Sequence, residues 1–143
     1  MKKKILIKIL GLVLLTQILI VGTGMVASAA NNCKDTTFYF DFSKSQVRWT
    51  GYVRLKTDYS HSYEKCNYTP ANKFYTSWVV GAYTENGDGH DASHGHVYTF
   101  TSGTTYWMLN WVKEEGFSYA GIAGQSVNGD MFGASGVWSP DSV

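Results

Sequence analysis

The chain has 143 residues, with twelve Lys and Arg against eleven Asp and Glu and a formal net charge of +1. Lys2, Lys3, Lys4 and Lys8 lie at the very start, so residues 30–143 carry eight basic and eleven acidic side chains, a formal charge of −3. A weakly acidic stretch of about 114 residues can bury one core and has no general attraction for nucleic acid or an anionic membrane surface.

Residues 1–29 read as an export leader, a signal peptide. The basic head precedes an apolar stretch over 5–21 that only Lys8, Gly11, Thr16 and Gln17 interrupt. Ala27, Ser28 and Ala29 then offer the small residues that a signal peptidase accepts. An apolar span over 5–26 would suit a membrane anchor, but the break at Gly22 and Gly24 favours cleavage. The expected product starts at Ala30 or Asn31, is secreted to the extracellular side and keeps no stable membrane span. Ala30, Asn31 and Asn32 before Cys33 are not the run that lipid attachment needs.

Cys33 and Cys66 both fall in the exported part, where a single disulfide is the expected pairing. It would close a loop of about 34 residues, a constraint of about 3.8 kcal/mol in the chain-entropy model.

From residue 36 onward the pattern is that of strands. Phe38, Phe40 and Phe42 alternate with Thr37, Tyr39 and Asp41, and Val47, Trp49, Gly51 and Val53 with Arg48, Thr50, Tyr52 and Arg54. Each run is expected to turn its apolar side to the core. Residues 57–73, with Cys66 and Pro70, read as the longest irregular stretch. Further strands are predicted over 74–84, 96–101, 104–112, 117–123 and 131–138, and Trp78 to Ala82, apolar on both faces, belongs centrally. Ser102-Gly103 and Asn128-Gly129 suit the tight turns of hairpins, and Glu115-Gly116 does so less clearly. Seven strands in one domain, 30–143, give an all-β fold: a single antiparallel β-sandwich or small barrel. Trp138 is expected to plug one end of the core before Pro140 stops the last strand.

The most unusual stretch is 86–96, Asn-Gly-Asp-Gly-His-Asp-Ala-Ser-His-Gly-His. On a strand His94 and His96 would face the same way, a two-imidazole clamp for zinc or copper completed by His90, Asp88 or Asp91. The same composition also suits a polar loop chosen for its backbone. The run is not an EF-hand, because no Glu closes the loop. No catalytic residue is nominated. Residues 121–126 do not form a nucleophile elbow, and the adjacent Glu114 and Glu115 are not a pair across a cleft. All 22 aromatic residues lie in the exported part. Tyr52, Tyr59, Tyr63, Tyr68, Tyr75, Tyr83 and Tyr98 fall on wetter faces or loops, where they would suit a glycan or protein partner.

The terminal run 133–143, Gly-Ala-Ser-Gly-Val-Trp-Ser-Pro-Asp-Ser-Val, resembles the closing motif of the DUF2712 family, small exported Gram-positive proteins of uncharacterised function. The lysine-led leader and size are similar too. More distantly the chain resembles the lactococcin 972-like bacteriocins, from which the two cysteines and a longer exported region set it apart. The resemblance brings no catalytic residues. The short tail lacks a sorting signal, so covalent attachment to the cell wall is not expected. The expectation is a non-enzymatic secreted protein that binds a cell-envelope or extracellular component. A bacteriocin-like antimicrobial is the alternative, and a metal-dependent enzyme built on the His90 to His96 loop is a third.

Overall fold

The structure, a computed structural model, describes residues 32–44 and 46–142; the leader and its cleavage site lie outside them. Among the described residues there are ten strands. They are β1 Thr36–Asp41, β2 Val47–Trp49, β3 Arg54–Leu55, β4 Ser62–Tyr68, β5 Tyr75–Ala82, β6 His90–Asp91, β7 Tyr98–Phe100, β8 Thr105–Met108, β9 Tyr119–Ser126 and β10 Gly133–Ser139. A first sheet runs β1-β10-β4-β8. A second runs β2-β9-β5-β6, with β3 also on β9 and β7 also on β5. Every pairing is antiparallel. The fold is the expected antiparallel sandwich, and the chain crosses between the sheets six times.

Alternation builds the core. Phe38 and Phe40 point inward while Tyr39 between them is 67% exposed. Tyr75 of β5 stacks on Phe100 with centroids 5.2 Å apart and planes 11° from parallel, and it meets Phe40 edge-on at 5.8 Å. Phe42, Phe132 and Trp138 complete the aromatic layer. Gly124 makes room for it: a Cβ there would lie 2.8 Å from Phe40 Cε2. The exposed edge of β1 is closed by side chains. Arg54 donates to the Lys34 carbonyl at 2.5 Å, Tyr52 Oη to Thr37 at 2.5 Å, and Arg48 Nε to Asp41 at 2.7 Å. With those carbonyls occupied, β1 is a poor template for a further strand.

Four expectations are corrected. Residues 57–73 are not irregular: they contain β4, a seven-residue strand inside the first sheet. Its inward residues are Ser62, Glu64 and Cys66, so the apolar alternation that marks a strand is missing. Val47 and Trp49 face solvent rather than the core, being 48% and 39% exposed. The positive φ expected at the two turns is present, at Gly103 (87°), Asn128 (61°) and Gly129 (72°). These turns are corners joining strands of opposite sheets, not hairpins.

The fourth correction is the disulfide, which is not formed: both cysteines are free. Cys66 points into the core opposite Gly136 of β10. Thr36 pairs with Trp138, and Asn32 N donates to Asp141 Oδ2 at 2.9 Å, so Cys33 sits at the level of residue 141. Five residues of extended chain separate those levels by roughly 16 Å, against the roughly 7 Å between Cα atoms that a disulfide tolerates. Burial pushes both thiols above the ordinary cysteine range, with Asp141 and Asp58 adding to the effect at Cys33. Hydrogen bonds fix the start of the described chain instead. Asn32 Nδ2 donates to the Leu55 carbonyl at 2.7 Å, and Arg54 donates to Asn32 Oδ1 at 2.5 Å.

Two buried polar assemblies hold the sandwich. In the first, Glu64 of the first sheet is fully buried and reaches two hydroxyls of the second. Tyr75 Oη donates to its Oε1 at 2.8 Å, and Ser77 Oγ lies 2.6 Å from its Oε2 and 2.9 Å from the Ala123 carbonyl. One hydroxyl proton cannot serve both acceptors. A protonated Glu64 that donates to Ser77 Oγ frees Ser77 to donate to Ala123, and every partner is then satisfied. Burial, opposed by the Ser77 and Tyr75 hydrogen bonds, pushes the Glu64 carboxyl up to about 8. In the second assembly the fully buried Lys56 Nζ donates to Asp141 Oδ1 at 3.0 Å, Ser60 O at 2.7 Å and Pro140 O at 2.8 Å. Burial alone would raise the Asp141 carboxyl. The Thr57 hydroxyl, the amides of Asn32 and Thr57, and Lys56 outweigh it and hold the carboxyl below its ordinary value.

The raised Glu64 group sets a direction for pH dependence. Between pH 4.5 and about 8 the folded protein keeps a proton that the unfolded chain has released. That contribution is complete below pH 4.5 and is lost as pH rises through about 8. Glu64→Gln keeps an acceptor for Tyr75 and a donor for Ser77. Relative to the variant, the wild-type unfolding free energy is expected to fall by about 3–5 kcal/mol over that window, read by urea unfolding. Parallel pH profiles would contradict this. Asp141→Ala leaves Lys56 buried without its anion and is expected to cost about 3–5 kcal/mol, while Lys56→Met with Asp141→Leu costs less than the two single changes summed. An unchanged urea midpoint for Asp141→Ala would refute the clamp.

Candidate functional site

The outer face of the second sheet carries a groove of about 360 Å³, within the range of about 300–1,000 Å³ common for ligand sites. Register explains its shape. Along β5, Tyr75, Ser77 and Val79 point into the core, so Thr76, Trp78 and Val80 point out. Along β9, Ile122 points in and Ala123 out. Trp49 pairs with Ala123, and Ala123 with Trp78. Two indoles therefore stand on either side of an alanine, two strand spacings or about 10 Å apart at the backbone. In the row to one side Val47, Gln125 and Thr76 are neighbours; in the row to the other, Gly121, Val80 and Asp91.

The loop after β5 closes one end. Gly89 packs so tightly that an added Cβ would lie 3.0 Å from Val80 Cγ2 and 3.5 Å from Trp49 Cε3. That packing brings Asp88 and Asp91 to the groove, and among the described residues no Lys or Arg lines it. Asp91 is oriented by its neighbours: the Ser93 amide donates to Oδ1 at 2.8 Å and the Ser93 hydroxyl at 2.6 Å. Asp88 is exposed and has no hydrogen-bond or ion-pair partner among the described residues.

The five side chains nominated for a metal are not gathered. Among the described residues no group of three or more His, Cys, Asp or Glu is placed to hold an ion. His90 stacks on Phe117 at 5.6 Å and 11°. His94 and His96 both stack on Trp111, at 4.4 Å and 5.3 Å, and His94 Nε2 lies 2.5 Å from Glu115 Oε1. His94 holds a left-handed φ of 49° before Gly95 at 80°, a tight turn closed by the His96 amide donating to Ser93 O at 3.0 Å. Asp88 and Asp91 line the groove. His96 follows that turn and precedes β7, so the clamp geometry of a continuous strand does not arise.

The tyrosines divide. Tyr59, Tyr68 and Tyr83 are well exposed and Tyr52 partly so, while Tyr63 and Tyr98 are half-buried and Tyr75 is wholly buried. No tyrosine lines the groove. A smaller pocket on the first sheet, about 220 Å³, is lined by Cys33, Asp35, Tyr63, Trp107, Ser139, Asp141 and Ser142. Sequence reasoning missed Trp49 and Trp78 as groove walls. The available signal was that Val47 and Trp49 share a face, but only the register across β9 shows them opposite Trp78.

A family model described as a protein of unknown function (DUF2712) matches residues 25–142. No curated protein and no solved structure matches the chain. Among the described residues no helix is long and apolar enough to cross a membrane.

Proposed function

We propose that this chain, which belongs to the DUF2712 family, is a secreted, non-enzymatic protein whose Trp49–Trp78 groove binds a glycan of the cell envelope or its surroundings. The observation that carries the reading is the row Trp49–Ala123–Trp78, an apolar floor between two indoles on the outer face of the second sheet. Sugar rings present apolar faces and polar rims. Indoles accept the faces, and the carboxylates of Asp88 and Asp91 accept hydrogen bonds from the rims. The groove lies on a strand-built platform, so little ordering is needed when a ligand binds. The leader pattern of residues 1–29 supplies the route to the compartment where such a glycan is found.

Co-sedimentation with purified cell-wall polysaccharide tests the proposal. The wild-type protein is expected in the pellet. Trp49→Ala and Trp78→Ala are expected to weaken retention about tenfold or more, since one anchoring aromatic is worth about 1–3 kcal/mol. Trp107→Ala, on the other sheet, should leave retention unchanged. Full retention of folded Trp49→Ala and Trp78→Ala would overturn the assignment.

A further inference from the structure

Resting on that reading of the groove, we infer that its glycan carries free amino groups, so that the bound unit is a sugar with an ammonium rather than an acetamido or acidic substituent. The charge at the groove is one-sided: Asp88 and Asp91 line it and no basic residue among the described ones does. The basic side chain closest to its wall in sequence, Arg48, is directed away and committed to the Asp41 carbonyl at 2.7 Å. An acidic sugar would set its charge beside two carboxylates, which costs affinity. Ammonium gains from the same arrangement twice. The carboxylates attract it, and the indole faces of Trp49 and Trp78 attract cations within about 6 Å of a ring centroid.

Asp91 is prepared for the role. Its Oδ1 is occupied by the Ser93 amide and hydroxyl, which fix the carboxylate, and no side chain or amide among the described residues takes Oδ2. Asp88 keeps both oxygens for a ligand. Ser93 itself is buried, so this orientation belongs to the fold. The acids stand beside Val80 and Gly89 at one end of the cleft, so a ring lying over the Ala123 floor directs a ring substituent toward them. The charge of −3 over residues 30–143 acts in the same direction at longer range.

Calorimetric titration of the purified protein with glucosamine hexamer, its fully N-acetylated counterpart and hexalysine separates the outcomes. Acetylation removes the charge and keeps the rings. The glucosamine hexamer is expected to bind about five- to tenfold tighter than the acetylated one, with the margin shrinking as salt is raised. Asp88→Asn, an exposed change with no partner to lose, should cut that margin to about half or less, and Asp88→Asn with Asp91→Asn should abolish it. Trp49→Ala should weaken both oligomers. Equal affinity for the two sugars, or preference for the acetylated one, overturns the amine inference and leaves the glycan groove standing. Hexalysine bound as tightly as glucosamine hexamer, with the same dependence on Trp49, also overturns it, because the site would then read charge alone. Binding of none of the three, together with no retention on cell-wall polysaccharide, overturns both readings.

Discussion

The Glu64 carboxyl, buried between the sheets, is the constraint on which the rest of the arrangement depends. From the first sheet it accepts the Tyr75 hydroxyl and meets the Ser77 hydroxyl of the second. Both partners lie on β5 two residues apart, so they can meet Glu64 only when that strand turns its odd-numbered residues inward. A slip of one residue would carry Trp78 into the core and strip Glu64 of both hydroxyl partners. Aromatic packing alone would tolerate small shifts; a buried carboxyl with two required hydroxyls does not. The chain of contacts continues from Ser77 Oγ to the carbonyl of Ala123, the residue that floors the groove. The outward face of β5 is thereby fixed from the inside.

The second polar assembly works at the edge of the sandwich. Lys56 and Asp141 are both fully buried, and their remaining hydrogen-bonding capacity is met by Ser60, Pro140, Thr57 and Asn32. A buried ion pair gives little net stability over an apolar equivalent, but it accepts only one arrangement of the segments that meet there. Here it joins the start of the described chain, the segment after β3 and the residues after β10. The expected cysteine staple would have done the same job by covalent means. The two assemblies also pull in opposite directions with pH. The lowered Asp141 group contributes stability above the ordinary carboxylate range and loses it in acid. The raised Glu64 group contributes in acid and loses it as pH climbs through about 8.

Much of the architecture was legible in the sequence because apolar alternation is a local signal. Phe38 and Phe40, the centrality of β5, the buried Trp138 and the positive φ at Gly103 and Asn128 all follow from neighbours in the chain. What escaped depended on partners far away. β4 was hidden because its inward residues, Ser62, Glu64 and Cys66, are polar or small, and their burial makes sense only beside Tyr75, Ser77 and Pro140. The turns gave their torsions but not their destinations, since one local geometry serves a hairpin or a corner. The cysteine pairing rested on compartment and count, and neither contains the strand register that holds Cys33 and Cys66 apart. At the candidate site, Asp88 and Asp91 stood out by composition and the histidines beside them drew the reading toward a metal. Trp111 and Phe117, which those histidines stack on, lie some twenty residues further along.

The outward setting of β5, and with it of Trp78, is thus fixed by an interior hydrogen-bond network centred on Glu64. The protonation of that group is the most direct thing to measure. In protein carrying a ¹³C label at the glutamate side-chain carboxyl, the Glu64 resonance is predicted to report a protonated acid at neutral pH and to titrate with a midpoint near 8. A Glu64 resonance already that of a carboxylate at about pH 6 would contradict the account.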